Sequence, residues 1–105
     1  MSEKIKPKAM KKVPRDKAFY FFTSIGNYTG KSASSLEEFM DVISEINAKS
    51  LEFHFYRGDF ERWFMDVLED KELAEALRNF YPLNLTGEAL RERLYKIVES
   101  RLRCI

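Results

Sequence analysis

Four aromatic residues in succession, Phe19, Tyr20, Phe21 and Phe22, constrain the fold of this chain more than any other feature. Such a run suits a pleated, buried strand and suits a helix less well. Residues 18–23 (AFYFFT) are therefore predicted as a β-strand, with at least two of the four rings in the core. The chain has 105 residues, 45% of them apolar, which is enough for one domain around one modest core.

The remainder reads as mostly helical. SIGNYTGKSAS follows the strand as a loop punctuated by Gly26 and Gly30. Ser34 and Ser35 each have a glutamate three residues on, two alternative capping boxes for a helix over 34–47. Its apolar stripe is Leu36, Phe39, Met40, Ile43 and Ile46. SLEFHFY (50–56) fits two patterns: Leu51, Phe53 and Phe55 alternate as in a strand, but Leu51 and Phe55 also share a helical face, with Ser50 as a cap. Phe60, Trp63, Phe64, Val67 and Leu68 then recur at helical spacing, with Asp59 as the N-cap. Leu73, Leu77 and Phe80 mark a helix over 71–81, and Leu90, Leu94, Ile97, Val98 and Leu102 mark a last one capped by Thr86. The fold class is mainly α with an N-terminal β element (α+β), a domain of four to five helices.

A helical 50–56 leaves the aromatic strand without a second strand. An unpaired strand edge invites association. A homodimer through Phe19, Tyr20, Phe21 and Phe22 would satisfy both copies; a strand at 50–56 would instead pair with it inside one chain.

Net charge is +1, with 33% of residues charged, but the charge is segregated. Residues 1–17 carry +5, residues 18–90 carry −7 and residues 91–105 carry +3. The first segment has two prolines, no aromatic residue and few large apolar residues, Ile5, Met10 and Val13 beyond the initial Met, too little to offset the entropy of ordering it. It is expected to be a flexible basic arm, with residues 18–105 as the globular domain. Lys4, Lys6, Lys8, Lys11, Lys12, Arg15 and Lys17 are its candidate RNA contacts. Counterion release from phosphates would then drive binding, and the adjoining aromatics offer a surface on which bases can stack.

Other motifs have simpler explanations. GNYTGKS (26–32) sits between strand and helix like a phosphate-binding loop, but three residues separate its glycines where that loop needs four, so a strand-to-helix turn explains it. RGD (57–59) matches an adhesion tripeptide, yet nothing in the chain reads as secretory, and Asp59 as cap with Gly58 as break accounts for it. One Cys (Cys104) and one His (His54) provide neither a disulfide framework nor a zinc set. His54 beside Glu52 is a candidate base without a nucleophile, and a structural role at a helix–helix contact is the better reading. Asp59, Asp66, Glu69, Asp70 and Glu72 match no calcium or Glu-x-x-His spacing and read as a solvated face. The absence of Gln and the wealth of ion-pairing residues hint at thermal adaptation. Apolar runs are too short to span a membrane.

Between Phe19 and Leu77 a set of elements occurs in order: F-x-F (Phe19–Phe21), T-G-x-x-A (Thr29, Gly30, Ala33), L-x-E-F (Leu36, Glu38, Phe39), S-L-x-F-H (Ser50, Leu51, Phe53, His54), D-F-x-x-W (Asp59, Phe60, Trp63) and E-L-A (Glu72, Leu73, Ala74). The set resembles an uncharacterised prokaryotic family, well represented in archaea and catalogued only as a domain of unknown function. The resemblance implies a helix for the segment holding His54 and brings no activity, cofactor or partner. The basic arm and the last helix lie outside it.

The expected function is a non-enzymatic, RNA- or ribosome-associated binding factor of the cytoplasm. Its arm docks on ribosomal RNA, and its dimer bridges or silences ribosomal particles. No catalytic residue, metal, cofactor, small-molecule substrate or membrane contact is expected. Two alternatives stand beside it: a protein-interaction module using the acidic face 59–75, and a ligand sensor or enzyme around His54.

Overall fold

The computed structural model describes residues 12–103. The fold is α+β: an N-terminal two-stranded antiparallel sheet packed on five helices. Strand β1, Phe19–Ser24, is the aromatic run, and it alternates as the pleat requires: Phe19 and Phe21 are buried, while Tyr20 is exposed and Phe22 half-buried.

The segment expected as a loop corrects the sequence reading. Asn27–Ala33 forms a second strand, β2, which pairs with β1 across a turn at Ile25 and Gly26. Between the pairs Phe21–Lys31 and Phe22–Tyr28, β2 carries two extra residues, Thr29 and Gly30. Gly30 takes a φ of +88° in this bulge, a conformation that suits a residue without Cβ. Thr29 Oγ1 anchors the bulge by donating to the Phe21 carbonyl at 2.7 Å. The two glycines of GNYTGKS thus serve a hairpin turn and a bulge. β2 escaped detection because only Ala33 of its seven residues is buried, so it carries no apolar alternation.

Helix α1, Leu36–Ile43, settles the capping question: Ser35 Oγ accepts from the Glu38 N–H at 3.1 Å, and the Glu38 carboxylate accepts from the Ser34 N–H at 2.8 Å. The ambiguous segment is helical (α2, Ala48–Arg57), and Asn47, not Ser50, caps it. Gly58, at φ +80°, ends α2 in the left-handed region. Helix α3, Asp59–Arg62, starts directly after it and continues as a π-helical turn, Trp63–Val67. Asp59 makes no capping bond of α3, because its side chain turns back toward α2. Helix α4, Lys71–Arg78, is capped by Asp70, and α5 spans Gly87–Arg103. Thr86 stands at the N-cap position of α5, its carbonyl accepting the Leu90 N–H at 3.2 Å, and the Gly87 N–H donates to the Glu52 carboxylate of α2 at 2.7 Å.

Phe39 lies at the centre of the core. Its ring meets Phe60 at 5.1 Å, Phe64 at 5.2 Å and Phe21 at 5.6 Å, and it stacks on Trp63 at 5.6 Å. The buried stripes predicted for the helices meet around it, notably Leu36 and Ile43, Phe60 and Leu68, Leu73 and Leu77, and Leu90, Leu94 and Val98.

The expected flexible arm is fastened to this body from Lys12 onward. The Val13 N–H donates to the Ser34 carbonyl at 2.7 Å, Lys12 pairs with Glu38 at 2.9 Å, and Arg15–Lys17 form a 3₁₀ turn. The Trp63 indole N–H donates to the Lys17 carbonyl at 2.8 Å. Lys4, Lys6, Lys8 and Lys11 lie outside the described residues, as does Cys104.

Candidate functional site

The site grows from His54. Its position on α2 directs the imidazole at β1, where Nε2 accepts the Phe22 backbone N–H at 2.8 Å. An Nε2 that accepts must be unprotonated, so the proton of the neutral ring is on Nδ1, which donates to Asp59 Oδ2 at 2.8 Å. Burial holds the His54 pKa below its ordinary 6.5; the hydrogen bond and charge of Asp59 oppose that shift and the Arg57 charge adds to it. Both ring nitrogens are engaged, which leaves no lone pair for a substrate. His54 makes the helix–helix contact expected of it, from α2 to Asp59 and Phe60 of α3, and fastens β1 to it as well.

Asp59 gathers charge around this latch. Besides the imidazole it receives Arg57 Nε at 3.1 Å and Arg62 Nη2. Two guanidiniums that would repel each other are held side by side by one carboxylate. Arg57 also lies over the Phe53 ring, 4.7 Å from its centroid. With His54 neutral, the trio of Arg57, Asp59 and Arg62 carries a net charge of +1.

These groups form one side of an open cleft of about 500 Å³ between the hairpin and α2–α3. Tyr20, Phe22 and the turn residues Ser24–Gly26 line the hairpin side, and Phe53, Trp63, Asp66 and Val67 line the helical side. Three of the last four come from α3 and its π turn, where the Leu68 N–H reaches back five residues to the Trp63 carbonyl at 3.0 Å. Such widened turns occur frequently at functional sites. Beside the cleft, the outward face of the hairpin carries a cluster of rings: Tyr28 lies 5.3 Å from Phe22 and 6.0 Å from Tyr20. Tyr20 Oη donates to the Arg15 carbonyl at 2.6 Å, so the ring cluster adjoins the basic segment.

The residues expected at a dimer interface are divided by this arrangement. Phe19 and Phe21 belong to the core, and only Tyr20 and Phe22 face outward. The premise of an unpaired strand does not hold, since β2 pairs one edge of β1 and His54 takes the Phe22 N–H. Of the expected RNA contacts, Lys12, Arg15 and Lys17 lie within the described residues, with Lys12 paired to Glu38. The acidic stretch 59–75 is also divided: Asp59 serves the latch, Glu61 pairs with Arg78, and Asp70 and Glu72 receive Arg101. Among the described residues no group of three or more His, Cys, Asp or Glu side chains is placed to hold a metal ion, and no helix is long and apolar enough to cross a membrane. Sequence reasoning missed Tyr28, Arg57 and Arg62. The i, i+4 pairing of Phe53 with Arg57 was a visible signal; the pairing of Tyr28 with Phe22 was not.

Comparison with known proteins adds a family. Residues 17–104 match DUF5752, a family of unknown function. The chain belongs to that family. The DUF5752 match takes in α5, so the last helix is a family feature and not an addition particular to this chain, as the narrower resemblance implied. No curated protein and no solved structure matches the chain.

Proposed function

We propose that this protein is a non-enzymatic RNA-binding module that stacks unpaired bases on the outer face of its hairpin. The observation that carries this reading is the outward cluster of Tyr20, Phe22 and Tyr28 beside a basic N-terminal segment. Rings on a small sheet take bases of any sequence, and cations beside them follow the phosphates. Residues 1–17 carry seven cations against two carboxylates. Ribosomal RNA is the most abundant structured polyanion such a segment meets, so the reading puts the protein in the cytoplasm, on or near ribosomes. A homodimer is not needed for it; bridging of ribosomal particles would need a second copy.

Fluorescence anisotropy of a labelled single-stranded RNA with the full chain tests the reading. Replacing Tyr20 and Tyr28 together by alanine removes two stacking partners worth ~1–3 kcal/mol per base. Affinity should fall at least tenfold while the fold, whose core rings are Phe19 and Phe21, is retained. Replacing Lys4, Lys6, Lys8 and Lys11 by glutamine should lessen the slope of affinity against salt by roughly 0.7–0.9 per lost phosphate contact. Binding that is indifferent to both sets of changes would overturn the proposal. Deletion of residues 1–17 is a poor test, because Val13 and Lys17 hold the body through backbone hydrogen bonds.

A further inference from the structure

We infer that the cleft beside the hairpin is a subsite for one unpaired guanine base; this deepens the RNA-binding reading and rests on it for the source of the base. Tyr20 and Phe22 stand on one side of the cleft, Phe53 and Trp63 on the other. At about 500 Å³ its volume lies within the ~300–1,000 Å³ usual for ligand clefts, so a planar base with its sugar fits.

The polar groups decide which base. His54 and Asp59 are taken by the latch. The charged groups left to meet a ligand are the outer N–H groups of Arg57 and Arg62, which only donate, and the exposed carboxylate of Asp66, which only accepts. A matching base edge must present two adjacent donors to a carboxylate and two adjacent acceptors to a guanidinium fork. Guanine does both: N1–H with N2–H₂ faces the carboxylate, and O6 with N7 faces the guanidinium, a pairing well suited to arginine. Adenine offers a carboxylate one exocyclic amine, cytosine likewise one, and uracil a single imide N–H.

The arginines are preorganised for this. Arg57 is fixed by Asp59 and by the Phe53 ring, and Arg62 by Asp59. One guanidinium reads the base and the second is left for a phosphate oxygen. Asp66 cancels the +1 of the Arg57–Asp59–Arg62 trio, so the cleft attracts its ligand through placed hydrogen bonds and not through bulk charge. The π turn sets Asp66 in the same wall as Trp63.

The single tryptophan, Trp63, reports occupancy through its fluorescence. The full chain is titrated with GMP, AMP, CMP and UMP, and separately with short oligouridines carrying one guanosine or one adenosine. GMP and the guanosine oligonucleotide should quench Trp63 saturably and bind roughly 5- to 150-fold tighter than their adenine counterparts. Asp66→Asn, at an exposed position, should erase that preference and leave thermal unfolding unchanged. Quenching by GMP with no binding of either oligonucleotide keeps the guanine subsite and overturns the RNA reading. Binding of both oligonucleotides with equal affinity overturns the guanine subsite and leaves the RNA reading in place. Absence of saturable quenching by any of these probes, or a guanine preference that survives Asp66→Asn, also overturns the subsite.

Discussion

Replacing His54 by alanine removes the ring that fastens the hairpin to the helices, and the cost can be worked from its contacts. The Phe22 N–H loses its acceptor, which costs about 1–3 kcal/mol in a partly buried position. The ring is buried against Phe19 at 4.8 Å, Phe53 at 4.9 Å and Phe60 at 5.6 Å, so its removal leaves a void on the order of 50 Å³, or about 1 kcal/mol. Asp59 loses one of three donors and keeps both arginines, which adds little. The total is ~2–4 kcal/mol against the ~5–15 kcal/mol of a typical domain, equivalent to a fall of roughly 10–30 °C in Tm.

A second measurement separates this latch from simple packing. Burial lowers the pKa of His54 in the folded chain, whereas in the unfolded chain it returns to about 6.5. The unfolded state therefore binds the extra proton first as the pH falls below 6.5, and stability falls with it. The His54 contribution is complete above that pH and is lost as the pH drops toward the lowered folded value, with a slope of at most ~1.4 kcal/mol per pH unit. Glu38 and Glu88, whose pKa values are held below 4.5 by hydrogen bonds to the Ser34 N–H and to Arg91 respectively, stay charged in this window. His54 is the one histidine of the chain. Urea unfolding of the native chain and of His54→Ala at about pH 7.5 and about pH 5.5 should show the acid loss in the former and a flatter response in the variant. Equal acid slopes in both, or a variant destabilised by less than about 1 kcal/mol at the higher pH, would refute the latch.

Three further perturbations have definite outcomes. Trp63→Ala removes the stack on Phe39 and the hydrogen bond that holds Lys17, so a loss of ~3–5 kcal/mol and a collapse of cooperative thermal unfolding are expected by circular dichroism. Ser50 is fully buried and its hydroxyl finds no hydrogen-bond partner, so Ser50→Ala should be neutral or stabilise by up to about 1 kcal/mol in chemical denaturation. Gly58→Ala meets no atom closer than 4.0 Å but forces a side chain into a φ of +80°, so it should cost about 1–2 kcal/mol in the same assay.

The helices were legible because each must bury one stripe. Phe60, Trp63, Phe64 and Leu68 can face a common core only at helical spacing, and they do so even though the backbone widens into a π turn that their spacing does not announce. β2 was illegible for the opposite reason. Asn27–Ala33 contributes backbone pairing to β1 and a bulge at Gly30, and neither needs apolar side chains. The missing strand then generated the expectation of a dimer. Lys17 shows the same limit: its carbonyl holds Trp63, and a backbone acceptor has no sequence signature. His54 was visible as a residue, but its role depends on a strand N–H at position 22 and a carboxylate at position 59, which only the fold brings together.

The sequence by itself determined the α+β class, a strand at the aromatic run and the positions of the helices other than α2, since periodicity and capping act over a few residues. It also determined the segregation of charge, a property of the covalent chain. The tertiary structure decided which rings of the run enter the core, where the basic segment becomes fastened, and how Asp59 comes to hold two arginines beside a cleft. These depend on contacts between residues distant in the chain, and the hydrogen bonds that close them involve backbone groups common to every residue.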